Sequence, residues 1–175
     1  MARKRAGGQR AQHDGEAPGT PATTLLEAAG VRFAAHLYAH DPAAEGYGLE
    51  AAKALGVEPE RVFKTLLISV GEAGRLCVAV VPVTGSLDLK AAAAAFGAKR
   101  AVMADPAAAE RRTGYVRGGI SPLGQRHRSP TAVDDSALAH ATVFVSGGRR
   151  GFDIELDPAD LVRLTEAVVA PVRAS

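Results

Sequence analysis

A single cysteine, no tryptophan and only 5% aromatic residues leave this 175-residue chain without several familiar anchors. One cysteine excludes a disulfide framework within the chain and fits a reducing compartment. Cys77 itself falls in the apolar run LCVAVV, where a small buried core residue is expected. No apolar run approaches the roughly 20 residues that span a bilayer, and MARKR at the N-terminus is not followed by an apolar segment of signal-peptide length. The expected setting is cytoplasmic, with no membrane partner.

An excess of one charge is lacking too. The formal net charge is +2, and residues 1–22 carry all of it: Arg3, Lys4, Arg5 and Arg10 against Asp14 and Glu16, leaving 17 basic and 17 acidic residues in the body. Global charge therefore says nothing about nucleic acid. Nucleotide-cradling and metal-binding signatures are missing: there is no GxxxxGK[ST], no GxGxxG after a strand, no HExxH and no paired CxxC. His36 and His40 are four apart, but in an extended strand they lie roughly 13 Å from each other, and no nearby Glu or Cys completes a zinc site. No metal and no cofactor is expected. GISPLG places Leu123 where a nucleophile elbow needs glycine. With no Ser-His-Asp order and an inward Cys77, the chain offers no protein nucleophile. An enzyme built on it takes its nucleophile from water or from its substrate.

What the chain does have is a continuous apolar centre. Val62–Val70 and Leu76–Val83, separated by the turn cluster Gly71–Gly74, read as a β-hairpin. Neither strand alternates cleanly, which implies cover on both faces. Lys64 interrupts this run, and an ammonium there is costly unless a partner or a substrate meets it. Around the hairpin the reading is one domain, residues 23–175, preceded by a disordered basic tail, 1–22. A helix starts at Thr23 with a Thr cap and stops at Gly30, a strand spans Val31–Tyr38, and a helix spans Leu49–Leu55. Ser86 caps an alanine-rich helix, and Asp105-Pro106 opens another that ends at Gly114. Phe152, Ile154 and Leu156 alternate with Asp153 and Glu155, predicting a hairpin with one wet face. A closing helix runs from Asp157-Pro158 through ADLVRLTEAVVA, with Leu161, Leu164 and Val168 as its core stripe. The loop Tyr115–Arg128, YVRGGISPLGQRHR, is the least regular segment. Gly118 and Gly119 let a ligand approach the main chain, and five arginines without an acid between Arg111 and Arg128 suit either a solvated face or a phosphate-bearing ligand.

HDP at 40–42, FKTLL at 63–67, LDLK at 87–90, MADP at 103–106, TGYVRGGISPLGQ at 113–125 and VSGGRRGFDIEL at 145–156 together resemble the YbaK/EbsC-type Cys-tRNA(Pro) deacylases. These are free-standing editing domains related to the insertion domain of prolyl-tRNA synthetase. The likeness runs from about Thr23 to Val169. It implies an α+β fold, a mixed barrel-like sheet flanked by helices, and trans-editing of tRNA for proline that wrongly carries cysteine, with the cysteinyl thiol attacking its own ester to release a cyclic thiolactone. By the resemblance the functional lysine falls on Lys64, followed by Thr65, and the site tyrosine on Tyr38. The functional glycine falls on Gly118 beside Gly119, the serine on Ser146 and the aspartate on Asp153. No motif position is altered. The residues alone single out Lys64 and the Gly118-Gly119 loop, whereas Tyr38, Ser146 and Asp153 rest on the resemblance. Implied catalytic residues are Lys64, Gly118 and Asp153; implied substrate contacts are Tyr38, Thr65, Gly119 and Ser146. The implied roles are Lys64 on the terminal phosphate or ester, Asp153 on the α-amino group or on Lys64, and the Gly118-Gly119 amides toward an oxyanion. The implied partners are the 3′ CCA end of aminoacyl-tRNA and prolyl-tRNA synthetase. Two alternatives stand beside this reading: cleavage of another small aminoacyl ester, such as alanyl, by water, and a non-catalytic binder of aminoacyl-tRNA or synthetase.

Overall fold

The computed structural model describes residues 17–44 and 46–175. Two β-sheets carry the described residues. Antiparallel strands β2 (Phe63–Val70) and β3 (Arg75–Pro82) form the expected central hairpin, paired from Phe63 opposite Pro82 to Val70 opposite Arg75. β4 (Ala101–Met103) joins one edge of β2, β5 (Thr131–Asp134) runs parallel to β3, and β8 (Val168–Ala170) runs parallel to β5. A second sheet has β7 (Phe152–Leu156) between β1 (Phe33–Leu37) and β6 (Val143–Arg149). The sheets meet at a parallel bridge between Val62 and Phe144. They do not close into a barrel, because β6 leaves the edge of β2 after this bridge and β4 takes it up again only at Ile68.

The apolar continuity of the hairpin reflects two cores. Val78 and Val80 face the three-stranded sheet, packing with Phe63, Leu67, Val145, Phe152 and Ile154. Cys77 and Val81 face the other way, toward Ile68, Val70 and Ala92 of helix α3 (Leu89–Ala95). β3 is thus buried on both sides, and Cys77 is fully inside, as its apolar run predicts.

Several boundaries differ from the sequence reading, each for a local reason. Helix α1 (Pro21–Ala28) starts before Thr23: Thr20 is its N-cap, and the Thr20 and Thr23 side chains cap each other's backbone N–H groups. Thr20 Oγ1 also donates to the Gly147 carbonyl at 2.6 Å, and Ala22 is fully buried. Of the expected tail, residues 1–16 lie outside the described residues. Helix α2 spans Tyr47–Leu55. α3 is capped by Asp88, which accepts the Ala91 N–H, rather than by Ser86. Helix α4 (Pro106–Thr113) has the expected Asp105 cap and Gly114 stop. The closing helix α5 (Pro158–Thr165) is shorter than its periodicity suggests: Glu166 turns left-handed and VVA becomes strand β8. The C-terminal segment is then held by buried Asp134, which accepts the Val172 and Arg173 N–H groups at 3.0 Å each.

The predicted wet face of β7 is largely covered. Glu155 accepts from Arg61 and Thr142 and pairs with His36 at 2.9 Å, and Asp153 is only 5% exposed. Alternation reports which side chains share a face, not what covers that face.

Candidate functional site

The interrupted edge of β2 creates the site. Between the bridge at Val62 and the ladder that begins at Ile68, residues 64–66 have no strand neighbour on that side. A cleft of about 600 Å³ opens there. Its floor is the first half of β2, its walls are α2, the start of α4, and Ser146 and Asp153 on β6 and β7, and its rim includes Arg117 and Gly118. Six of the seven implied residues line this one cleft: Tyr38, Lys64, Thr65, Gly118, Ser146 and Asp153.

Each arrives by a different local device. Ser146 and Asp153 are cross-strand partners, directly opposite in the β6–β7 register. A bulge follows Ser146, so that Gly147 and Gly148 are extruded and the Gly148 N–H reaches back to Ser146 Oγ at 3.2 Å. Tyr38 extends from the end of β1, its N–H bound to the Gly151 carbonyl at 2.9 Å. Gly118 has φ +83°, and a Cβ there would stand 2.8 Å from the Tyr47 ring, so only glycine lets the loop close over α2.

The electrostatics are those of ionisable groups partly withdrawn from water. Burial lowers the Lys64 pKa and raises that of Asp153 to about 7. Burial, with the negative charges of Asp153 and Glu50, pushes the Tyr38 hydroxyl far above its ordinary value, so it stays a neutral donor. Lys64 and Asp153 share the cleft but form no ion pair with each other or with any other described residue. Thr65 Oγ1 is the sole buried side-chain polar atom without a hydrogen-bond partner among the described residues. These unmet groups fit a site organised around a polar ligand rather than around the protein's own pairs.

Gly119 departs from expectation. It does not line the cleft; its N–H is spent on the Val116 carbonyl at 2.9 Å, and its open side is filled by the Arg149 backbone, 2.8 Å from where a Cβ would be. It packs the loop against the β6–β7 turn and has no amide to offer an oxyanion. The arginine run divides likewise. Arg112 bonds Ser129 Oγ, Arg128 pairs with exposed Glu166, and only Arg117 reaches the cleft. Ser121 of GISPLG is fully buried and accepts the Leu123 N–H, so it is a turn residue. His36 pairs with Glu155 and His40 with Glu50, and no group of three metal-ligating side chains occurs among the described residues. Two site residues not foreseen from sequence are Tyr47, whose ring contacts both His40 and Arg150, and Glu110, which accepts the Arg117 N–H at 3.1 Å. The signal for Tyr47 was available: a tyrosine between two glycines at a helix start.

A family profile described as aminoacyl-tRNA editing domain matches residues 42–164. The chain belongs to the aminoacyl-tRNA editing domain family. Editing removes an amino acid by cleaving its ester to tRNA, so the chain is an aminoacyl-tRNA deacylase. Among relatives, a protein of Enterococcus faecalis named as a candidate Cys-tRNA(Pro)/Cys-tRNA(Cys) deacylase, EbsC, is 40% identical over 121 residues, which cover 69% of this chain and 73% of that one. A crystal structure described as a candidate trans-editing enzyme for prolyl-tRNA synthetase superposes with TM-score 0.74 at 28% identity, covering 89% of this chain and 96% of the other. That of the hypothetical protein APE2540 gives 0.79 at 27% identity, covering 89% and 100%. The α+β editing fold is therefore established. No helix among the described residues is long and apolar enough to cross a membrane.

Proposed function

We propose that this editing domain acts in trans on cysteine mischarged onto proline tRNA, and that the bound cysteinyl thiol is the nucleophile. One observation supports the mechanism: among the described residues lining the cleft, no serine or cysteine is hydrogen-bonded to a base. Cys77 is fully buried in the core, Ser146 Oγ accepts from the Gly148 N–H and is not bonded to Asp153 or Lys64, and neither His36 nor His40 is among the lining residues. In the proposed step the thiol sulfur attacks the ester carbonyl carbon and forms the ring carbon–sulfur bond. The carbon–oxygen bond to the ribose breaks, and the thiol proton ends on the departing ribose hydroxyl. Products are a cyclic thiolactone and uncharged tRNA. A thiol of pKa near 8.5 supplies some thiolate at neutral pH, and intramolecular attack in near-attack geometry is worth about 7–11 kcal/mol over a bimolecular one.

Lys64 holds the ester oxygen or the terminal phosphate, and Arg117 at the rim meets the CCA backbone. Asp153 receives the α-ammonium, whose charge favours the ionised carboxylate that burial disfavours. Gly118 keeps the loop closed against Tyr47. The likeness to a candidate trans-editing enzyme supports prolyl-tRNA synthetase as the partner and the cytoplasm as the setting.

The test is deacylation of proline tRNA charged with cysteine, alanine or proline by purified protein and by Lys64→Ala. Rapid cleavage of the cysteinyl ester alone, slowed at least 100-fold in the variant, is expected. Cleavage of the alanyl ester at an equal rate would favour water as nucleophile, and no cleavage of any would favour a binding module.

A further inference from the structure

The gap in the edge of β2 exposes main chain as well as side chains, and the register says which. Val83 N–H donates to the Val62 carbonyl at 2.9 Å, so even-numbered residues of β2 direct their backbone groups at β3. Odd-numbered ones face the other edge, as the bonds from Ala104 N–H to the Leu67 carbonyl and from Gly71 N–H to the Arg100 carbonyl attest. By the same alternation the N–H and C=O of Thr65 point into the gap, where neither β6 nor β4 takes them up. Beside them lies Thr65 Oγ1, buried and without a partner among the described residues.

A residue with both backbone groups directed outward is what one residue of an antiparallel neighbour pairs with, each giving the other its N–H. An aminoacyl ester carries the same two functions on one residue, an α-amino donor and a carbonyl acceptor. Resting on the deacylase reading above, we infer that the aminoacyl group docks as a one-residue antiparallel strand on Thr65. The Thr65 N–H donates to the ester carbonyl and the Thr65 C=O accepts from the α-amino group. The register also sets direction: paired residues project side chains to the same face. The aminoacyl side chain then lies beside Thr65 Oγ1, on the face that packs Phe63 and Leu67 against the three-stranded sheet. A small side chain with a polar atom suits that position. Thr65 is thereby a positioning residue through its backbone, independent of Asp153.

Two stable mimics of the tRNA terminus test this, adenosine 3′-amides carrying cysteinyl or 3-mercaptopropionyl, which differ only in the α-amino group. The cysteinyl amide should bind wild type about 10- to 100-fold tighter, the usual worth of a charge-assisted hydrogen bond. At least a 10-fold preference should survive in Asp153→Asn, because Thr65 C=O is still there. The Thr65 amide proton should become at least 10-fold slower to exchange when the cysteinyl amide is bound. Equal affinities in Asp153→Asn, or an unprotected Thr65 amide in the bound state, would overturn the docking mode while leaving deacylation of Cys-tRNA intact. Failure of wild type both to bind the cysteinyl amide and to cleave Cys-tRNA would overturn the functional reading, and this inference with it.

Discussion

Asp153→Asn should make the protein more stable and less active. The residue is 5% exposed, its carboxyl has no hydrogen-bond or ion-pair partner among the described residues, and burial raises its pKa from 3.8 to about 7. A tenfold change in proton affinity between the unfolded and folded states is worth about 1.36 kcal/mol, so holding this group ionised costs the fold up to about 4 kcal/mol above pH 7. The sign follows from proton binding. Between about pH 4 and 7 the folded state keeps a proton that the unfolded state has released, so stability falls as pH rises across that window and is flat on either side. Asparagine has no such titration. In urea melts, Asp153→Asn should exceed wild type by roughly 2–4 kcal/mol at pH 8, and the difference should shrink to near zero at pH 4, where both side chains are neutral. A stability gain that comes with lost function is what a strained site predicts. Parallel stability curves for the two proteins from pH 4 to 8, or a variant less stable than wild type at pH 8, would refute the reasoning.

Three further outcomes follow from local geometry. Gly118→Ala should destabilise by roughly 1–3 kcal/mol in denaturant melts and slow deacylation at least 10-fold, since a left-handed φ and a contact 2.8 Å from Tyr47 both oppose a methyl group; a silent substitution would show that the loop is free to move. Cys77→Ala should keep deacylation within a few-fold of wild type in folded protein, because this side chain lies in the α3-side core, and loss of most activity without unfolding would contradict that. Removing residues 1–16 should leave kcat nearly unchanged, whereas removing 1–22 should also lower stability by roughly 1–3 kcal/mol, because the Thr20 cap and buried Ala22 go with it; equal stability of the two truncations would refute the role given to Thr20.

What was legible in the sequence was whatever rests on local signals. The turn at Gly71–Gly74, the Asp105-Pro106 helix start and the double burial of LCVAVV are written in neighbouring residues, and the structure repeats them. Lys64 stood out because an ammonium in an apolar strand needs an explanation, and it does line the cleft. Other features depend on contacts distant in sequence. Asp153 looked solvated because β7 alternates, yet its neighbours across the cleft are Tyr38 just past β1 and residues of β2 and α2. Val168–Ala170 continues a helical pattern, but pairing with β5 outweighs the single left-handed residue, Glu166, that ends the helix. Gly119 and Gly118 look alike in sequence, and only the packing of Arg149 against one and Tyr47 against the other separates scaffold from rim. The open edge of β2 is the least legible feature, since it depends on where two other strands stop.

The central claim is that the substrate's thiol, not a protein-activated water, breaks the ester. Single-turnover deacylation of proline tRNA charged with cysteine, serine or alanine tests it most directly, because the three esters are similar in size and only one carries a thiol. Attack by the thiol predicts similar binding, a chemical step for cysteine at least 100-fold faster than for the other two, and a trapped thiolactone; near-equal chemical-step rates for all three would contradict it.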